Sequence, residues 1–203
     1  MNMELSYILQ LIVCLLIGLV LHEFMHAYVG FKLGDDTAHV GGRLSLNPLS
    51  HIDPFMTVVL PIITVVLFGV PFMAAKPVPF NPNLVKFEEF GAAMIAAAGP
   101  LTNLVLAIIG ALSLHIIEPG TFLSGFMGIF VQLNVALFVF NLLPIPPLDG
   151  SRVLYAFAPE PIQEFMARIE PYGFFIIIAL IVMGGGFTSL LVNLNQMVIN
   201  ILP

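Results

Sequence analysis

The chain of 203 residues is 59% hydrophobic and only 9% charged, with a mean hydropathy of +1.05, more apolar surface than a water-soluble domain of this size can hide. Its net charge of −6 and its six scattered Lys and Arg residues exclude a basic nucleic-acid-binding face. What remains is an integral membrane protein, and the single cysteine, Cys14, excludes an internal disulfide.

The first predicted element covers residues 5 to 31, apolar except for Ser6, Gln10 and the run His22-Glu23-Phe24-Met25-His26. About 20 apolar residues suffice to cross a bilayer, so the run is expected inside a membrane helix. The segment has no basic leading region and no small-residue cleavage site, and it is expected to stay in the mature chain.

Two histidines four apart on a helix share one face and can reach a single ion, whereas the glutamate beside the first is free to hold and deprotonate a metal-bound water. With five His and eight Glu in the chain, His-Glu-x-x-His arises by chance about 0.005 times. The competing reading is a buried histidine pair that only stabilises packing. The cost of ionisable groups in a membrane helix favours a metal site instead, with His22 and His26 as ligands and Glu23 as base.

Residues 34 to 53 form the most polar stretch, a loop with room for one short hairpin. Residues 55 to 75 are apolar but broken by Pro61 and Pro71, and residues 76 to 90 return to polar sequence. Apolar helices are then predicted over 91 to 117, with a small-residue face at Ala96, Ala97, Ala98 and Gly99, and over 122 to 143, ending at Pro144-Ile145-Pro146-Pro147. Residues 159 to 171 read as interfacial and 172 to 183 as a last apolar run. Gly184-Gly185-Gly186 bends the chain before an amphipathic C-terminal stretch. No repeat or linker divides the sequence, so residues 1 to 203 are read as one all-α polytopic domain with about four to six membrane-embedded helices.

The basic residues set an expected topology. If residues 55 to 75 do not cross, Lys32, Arg43, Lys76, Lys86, Arg152 and Arg168 all fall on one side, as the positive-inside rule prefers. The N-terminus is then extracytoplasmic and residues 55 to 75 are re-entrant or interfacial.

A zinc site needs a third protein ligand. The candidate is Asp149, a carboxylate among apolar residues after the proline-rich segment, with a helix N-cap as its equal alternative. The non-crossing topology decides between them, because only there do His22, His26 and Asp149 meet at one membrane face.

These motifs resemble the site-2 protease family of intramembrane zinc metalloproteases. The resemblance rests on His22-Glu23-Phe24-Met25-His26, on Ala98-Gly99-Pro100-Leu101-Thr102-Asn103, and on residues 141 to 150, in the family's order. A compact subgroup is matched through residues 42 to 49, His51-Ile52-Asp53-Pro54 and Ala75-Lys76-Pro77-Val78-Pro79. The resemblance implies one zinc ion on His22, His26 and Asp149, Glu23 as catalytic base, and Asn141 as the residue that binds a substrate carbonyl. It implies a multi-pass protein of the cell membrane whose partners are the lipid bilayer and transmembrane proteins or peptides as substrates, and the basic-residue topology opens the site toward the cytoplasm. Phe24-Met25 departs from the small pair frequent between the histidines, and no long soluble insertion is present.

Weaker candidates are His51 and Asp53, which orient a ligand or merely bond their own turn, and Asn103, which contacts the site or a neighbouring helix. His39 and His115 read as interfacial. Competing functions are a divalent-metal transporter, a non-catalytic helix-binding relative, and an unrelated peptidase whose third ligand is Glu88, Glu89 or Glu160.

Overall fold

A computed structural model describes residues 3–68, 76 and 78–203. The helix α1 (Met3–Lys32) is continuous through the His-Glu-x-x-His run, with Glu4 in its first turn and Lys32 in its last, the signs its dipole favours. At 1.5 Å per residue it is about 45 Å long, more than the roughly 30 Å of a hydrocarbon core.

Residues 34 to 53, expected to have room for a hairpin, hold a single helical turn, α2 (Thr37–Val40), and a 3-10 turn at Pro48–Ser50; no strand occurs among the described residues. Local side-chain bonds take the backbone groups that a hairpin would pair. Asp35 accepts from the Thr37 N–H, Asn47 from the Leu49 N–H, and the buried Arg43 donates to the Ser50 carbonyl. A π-helical turn at Pro54–Val59 leads into α3 (Leu60–Phe68). Residues 69–75 and 77, including Pro71, Ala75 and Pro77 of the sequence motifs, lie outside the described residues.

The remaining helices are α4 (Glu88–Leu114), α5 (Phe122–Asn141), α6 (Asp149–Phe157), α7 (Glu160–Ile169), α8 (Gly173–Met183) and α9 (Gly185–Ile201). Four described stretches are long and apolar enough to cross a membrane: Glu4–Lys32, Glu88–Leu114, Phe122–Asn141 and Glu160–Val182. The last joins α7, read as interfacial from sequence, to α8 through a 3-10 turn at Glu170–Tyr172.

At the centre lies α4, packed against α1, α5 and α6. Its small residues permit this. A Cβ added at Gly110 would stand 2.8 Å from Val131 Cγ2, and Ala107 and Ala111 form a buried cluster with Val131, Val135 and Val139 of α5. The outer faces carry exposed Leu101, Val105 and Ile109 on α4 and Ile8 and Ile12 on α1, a surface suited to lipid.

The chain leaves α1 and enters α4 at the same end of the bundle. The Lys86 N–H donates to the Leu33 carbonyl at 2.9 Å, the Asn81 N–H to Asp35 Oδ2 at 2.7 Å, and Leu33, Val85 and Ile95 share a core cluster. The C-terminal half of α1 therefore lies beside the N-terminal half of α4. At that end α6 packs against α4, and a Cβ on Gly150 would overlap the carbonyl of Leu142, the residue that follows α5.

Candidate metal centre

Three side chains from α1 and α6 meet at this packed end. His22 Nε2 lies 3.1 Å and His26 Nε2 3.4 Å from the same oxygen, Asp149 Oδ2. The imidazoles meet edge-on with ring centroids 4.6 Å apart, and both are buried. Asp149 is the first residue of α6, Leu148 occupies the cap position, and no side-chain cap bond forms. Its carboxylate is spent on the histidines instead.

The far nitrogen of each histidine is fixed. His26 Nδ1 donates to the Ile95 carbonyl at 2.7 Å. His22 Nδ1 meets Asn103 Oδ1 at 2.6 Å, and the Asn103 amide must present oxygen there because its nitrogen donates to the Gly18 carbonyl at 3.2 Å. Both rings thus carry Nδ1–H and aim an Nε2 lone pair at the carboxylate. Three acceptors facing one another in a buried site require a cation between them, either a proton or a metal ion.

A helix wall brings these atoms close. A Cβ on Gly99 of α4 would overlap His26 Nε2 and stand 2.6 Å from His22 Nε2. Glycine at that position lets α4 pass directly behind the site.

The comparisons with known proteins agree with this chemistry. The family model described as Peptidase family M50 matches residues 115–184. The Bacillus subtilis protein named "Putative zinc metalloprotease YwhC" is 40% identical over 187 residues, covering 88% of this chain and 82% of its own length. The chain belongs to peptidase family M50. The same description is carried by Rip2 of Mycolicibacterium smegmatis, 33% identical over 82% of this chain and 64% of that protein. It is also carried by MJ0611 of Methanocaldococcus jannaschii, 37% identical over 68% of this chain and 64% of that protein. No solved structure matches the chain. The site-2 protease resemblance is thereby borne out, and the protein is a multi-pass membrane metalloprotease.

The donor set of this M50 peptidase fits zinc. Ligands about 2.0–2.1 Å from a tetrahedral ion are about 3.3 Å apart, close to the separations between each Nε2 and Asp149 Oδ2. Among the described residues, His22, His26 and Asp149 form the group whose ligand atoms all lie within 4.8 Å of one another. Two nitrogens and one carboxylate oxygen leave a fourth position for water or substrate, the pattern of catalytic rather than structural zinc. Glu23, 8% exposed, follows His22 on the same buried stretch of α1.

Other predicted residues fall elsewhere. Asn141, at the end of α5, donates its amide to the Leu137 carbonyl at 2.9 Å. His51 Nε2 donates to the Ser45 carbonyl at 2.7 Å while its Nδ1 is buried with no partner among the described residues, and Asp53 accepts from the Phe55 N–H. Glu89 accepts from Gln163, and neither it nor Glu88 nor Glu160 belongs to the cluster. Asn103 does both things the sequence allowed, orienting a histidine and bridging helices. Asn134 escaped the sequence reading, although an amide inside an otherwise apolar helix is a signal.

Proposed function

We propose that this chain is a zinc-dependent endopeptidase that hydrolyses peptide bonds in or near transmembrane segments, with one zinc ion held by His22, His26 and Asp149. The observation that carries the proposal is the convergence of three lone-pair donors on one point, two of them flanking Glu23 in the C-terminal half of a helix long enough to span a bilayer. When bound, zinc supplies a Lewis acid that polarises a carbonyl and acidifies water.

The chain's own groups do the rest. The Glu23 carboxylate takes a proton from the attacking water and delivers it to the leaving amide nitrogen as the C–N bond breaks. Asp149 and the Nδ1-anchored histidines hold their positions without rotamer search. Asn141 donates to a substrate carbonyl once its amide leaves that of Leu137. The substrate must unwind locally, because a helix hides its carbonyls in its own hydrogen bonds.

The six basic groups favour an extracytoplasmic N-terminus and a site that takes its water from the cytoplasm. The length of α1 supports a depth within the membrane, since His22 lies ten residues, about 15 Å, from the end of that helix. A panel of labelled transmembrane peptides incubated with purified protein in lipid nanodiscs tests the reading. Cuts are expected in or beside the apolar segment with the wild type and not with His22→Ala; cutting of soluble peptides alone would overturn the intramembrane assignment.

A further inference from the structure

The histidine ligands are anchored unequally. His26 is held by one backbone carbonyl, that of Ile95, within a helix that packs directly on it. His22 is held by a side chain, Asn103, which has freedom to turn unless something stops it. Asn103 is wholly buried, and its nitrogen donates both to the Gly18 carbonyl on α1 and to Asn134 Oδ1 on α5, the latter at 2.9 Å. Asn134 is also wholly buried, and its own nitrogen donates to the Phe130 carbonyl one turn back at 2.8 Å.

The chain of bonds has a direction. The Phe130 carbonyl can only accept, so it fixes which end of the Asn134 amide is nitrogen. The oxygen of Asn134 then faces Asn103 and, at a shorter distance than the Gly18 carbonyl, joins it in fixing that amide, whose oxygen in turn demands a proton on His22 Nδ1. Reversing any amide sets two donors or two acceptors against each other in a dry interior. The relay runs from α5 through α4 to α1, and glycine makes room for it. A Cβ on Gly18 would stand 3.1 Å from Asn134 Oδ1 and 2.9 Å from Leu137 Cδ1.

We propose that Asn134 is a positioning residue of the metal centre, acting through Asn103 to keep His22 in the tautomer and orientation that present Nε2 to the ion. The proposal rests on His22 being a zinc ligand. It assigns Asn134 a function that a polar residue buried for packing alone would not have. Direct outer partners of metal-bound histidines, as Asn103 is of His22, typically change metal affinity by 10–100-fold when removed, and Asn134, one bond further out, is expected at the lower end of that range.

The test is zinc affinity by chelator competition in detergent for the wild type, Asn134→Leu, Val135→Ala and His22→Ala. Val135 is equally buried on the same helix but belongs to the apolar cluster, so its truncation reports packing loss alone. Asn134→Leu is expected to weaken zinc binding about tenfold or more, against less than about threefold for Val135→Ala. Equal affinity of Asn134→Leu and the wild type, or equal losses in the two α5 variants, would overturn the proposal. Unchanged zinc binding in His22→Ala would instead refute the ligand assignment beneath it. If Asn134→Leu does not fold, nitrogen NMR of the metal-free wild type with labelled histidine decides. A protonated Nδ1 on His22 at neutral to alkaline pH is expected, and an unprotonated Nδ1 there contradicts the relay.

Discussion

Gly99 stands so close to His26 that a Cβ on it would lie 2.4 Å from Nε2. The small-residue run on α4 therefore serves the metal centre as well as helix packing. Gly99→Ala must push the imidazoles toward Asp149 or drive α4 away from α1, and overpacking of this kind costs about 1–3 kcal/mol. Zinc affinity is expected to fall by about tenfold or more, measured by chelator competition, whereas Gly128→Ala, in open space on α5, leaves it unchanged.

Asp149→Ala removes one of three proposed ligands and should abolish stoichiometric zinc, read by metal analysis after gel filtration. Asp149→Asn keeps the shape but not the charge, and is expected to retain weaker binding than the wild type. Full zinc in the alanine variant would refute Asp149 as third ligand.

Topology follows from where the chain enters and leaves the bundle. Single cysteines at Asp36, Pro79 and Gly120, all exposed, in a Cys14→Ser background should label with an impermeant maleimide from the same side for the first two and the opposite side for the third. Asp36 and Pro79 labelling from opposite sides would overturn the expectation that residues 55 to 75 do not cross.

The helices and two of the proposed ligands were legible because their signals are local. Hydropathy marks a span wherever lipid is the solvent, and an i, i+4 histidine pair is on one face of any helix. Asp149 was harder, since it meets His22 across 127 positions and an aspartate before a helix has the look of a cap. Basic-residue asymmetry and family resemblance supplied what spacing could not. Asn134 stayed illegible because a buried amide reads the same whether it bridges two helices or orients a ligand. The turns at Thr37–Val40 and Pro48–Ser50 were missed because side-chain bonds from Asp35 and Asn47, respectively, settle the backbone locally.

Substrate unwinding predicts a sequence effect. Among transmembrane peptides of equal hydropathy, those with Gly or Pro near the cut should be cleaved faster than Leu-rich versions, by about tenfold in kcat/KM. Each destabilised helical position is worth about 1–3 kcal/mol. Equal rates would show that helix opening does not limit the reaction.

The most direct measurement is zinc content and transmembrane-peptide cleavage measured side by side for the wild type and Glu23→Gln. Loss of a general base costs about 10²–10⁴-fold in rate without touching a ligand. The account predicts that Glu23→Gln keeps about one zinc per chain while cleavage falls by at least about a hundredfold. Cleavage at the wild-type rate by the zinc-loaded variant would contradict it.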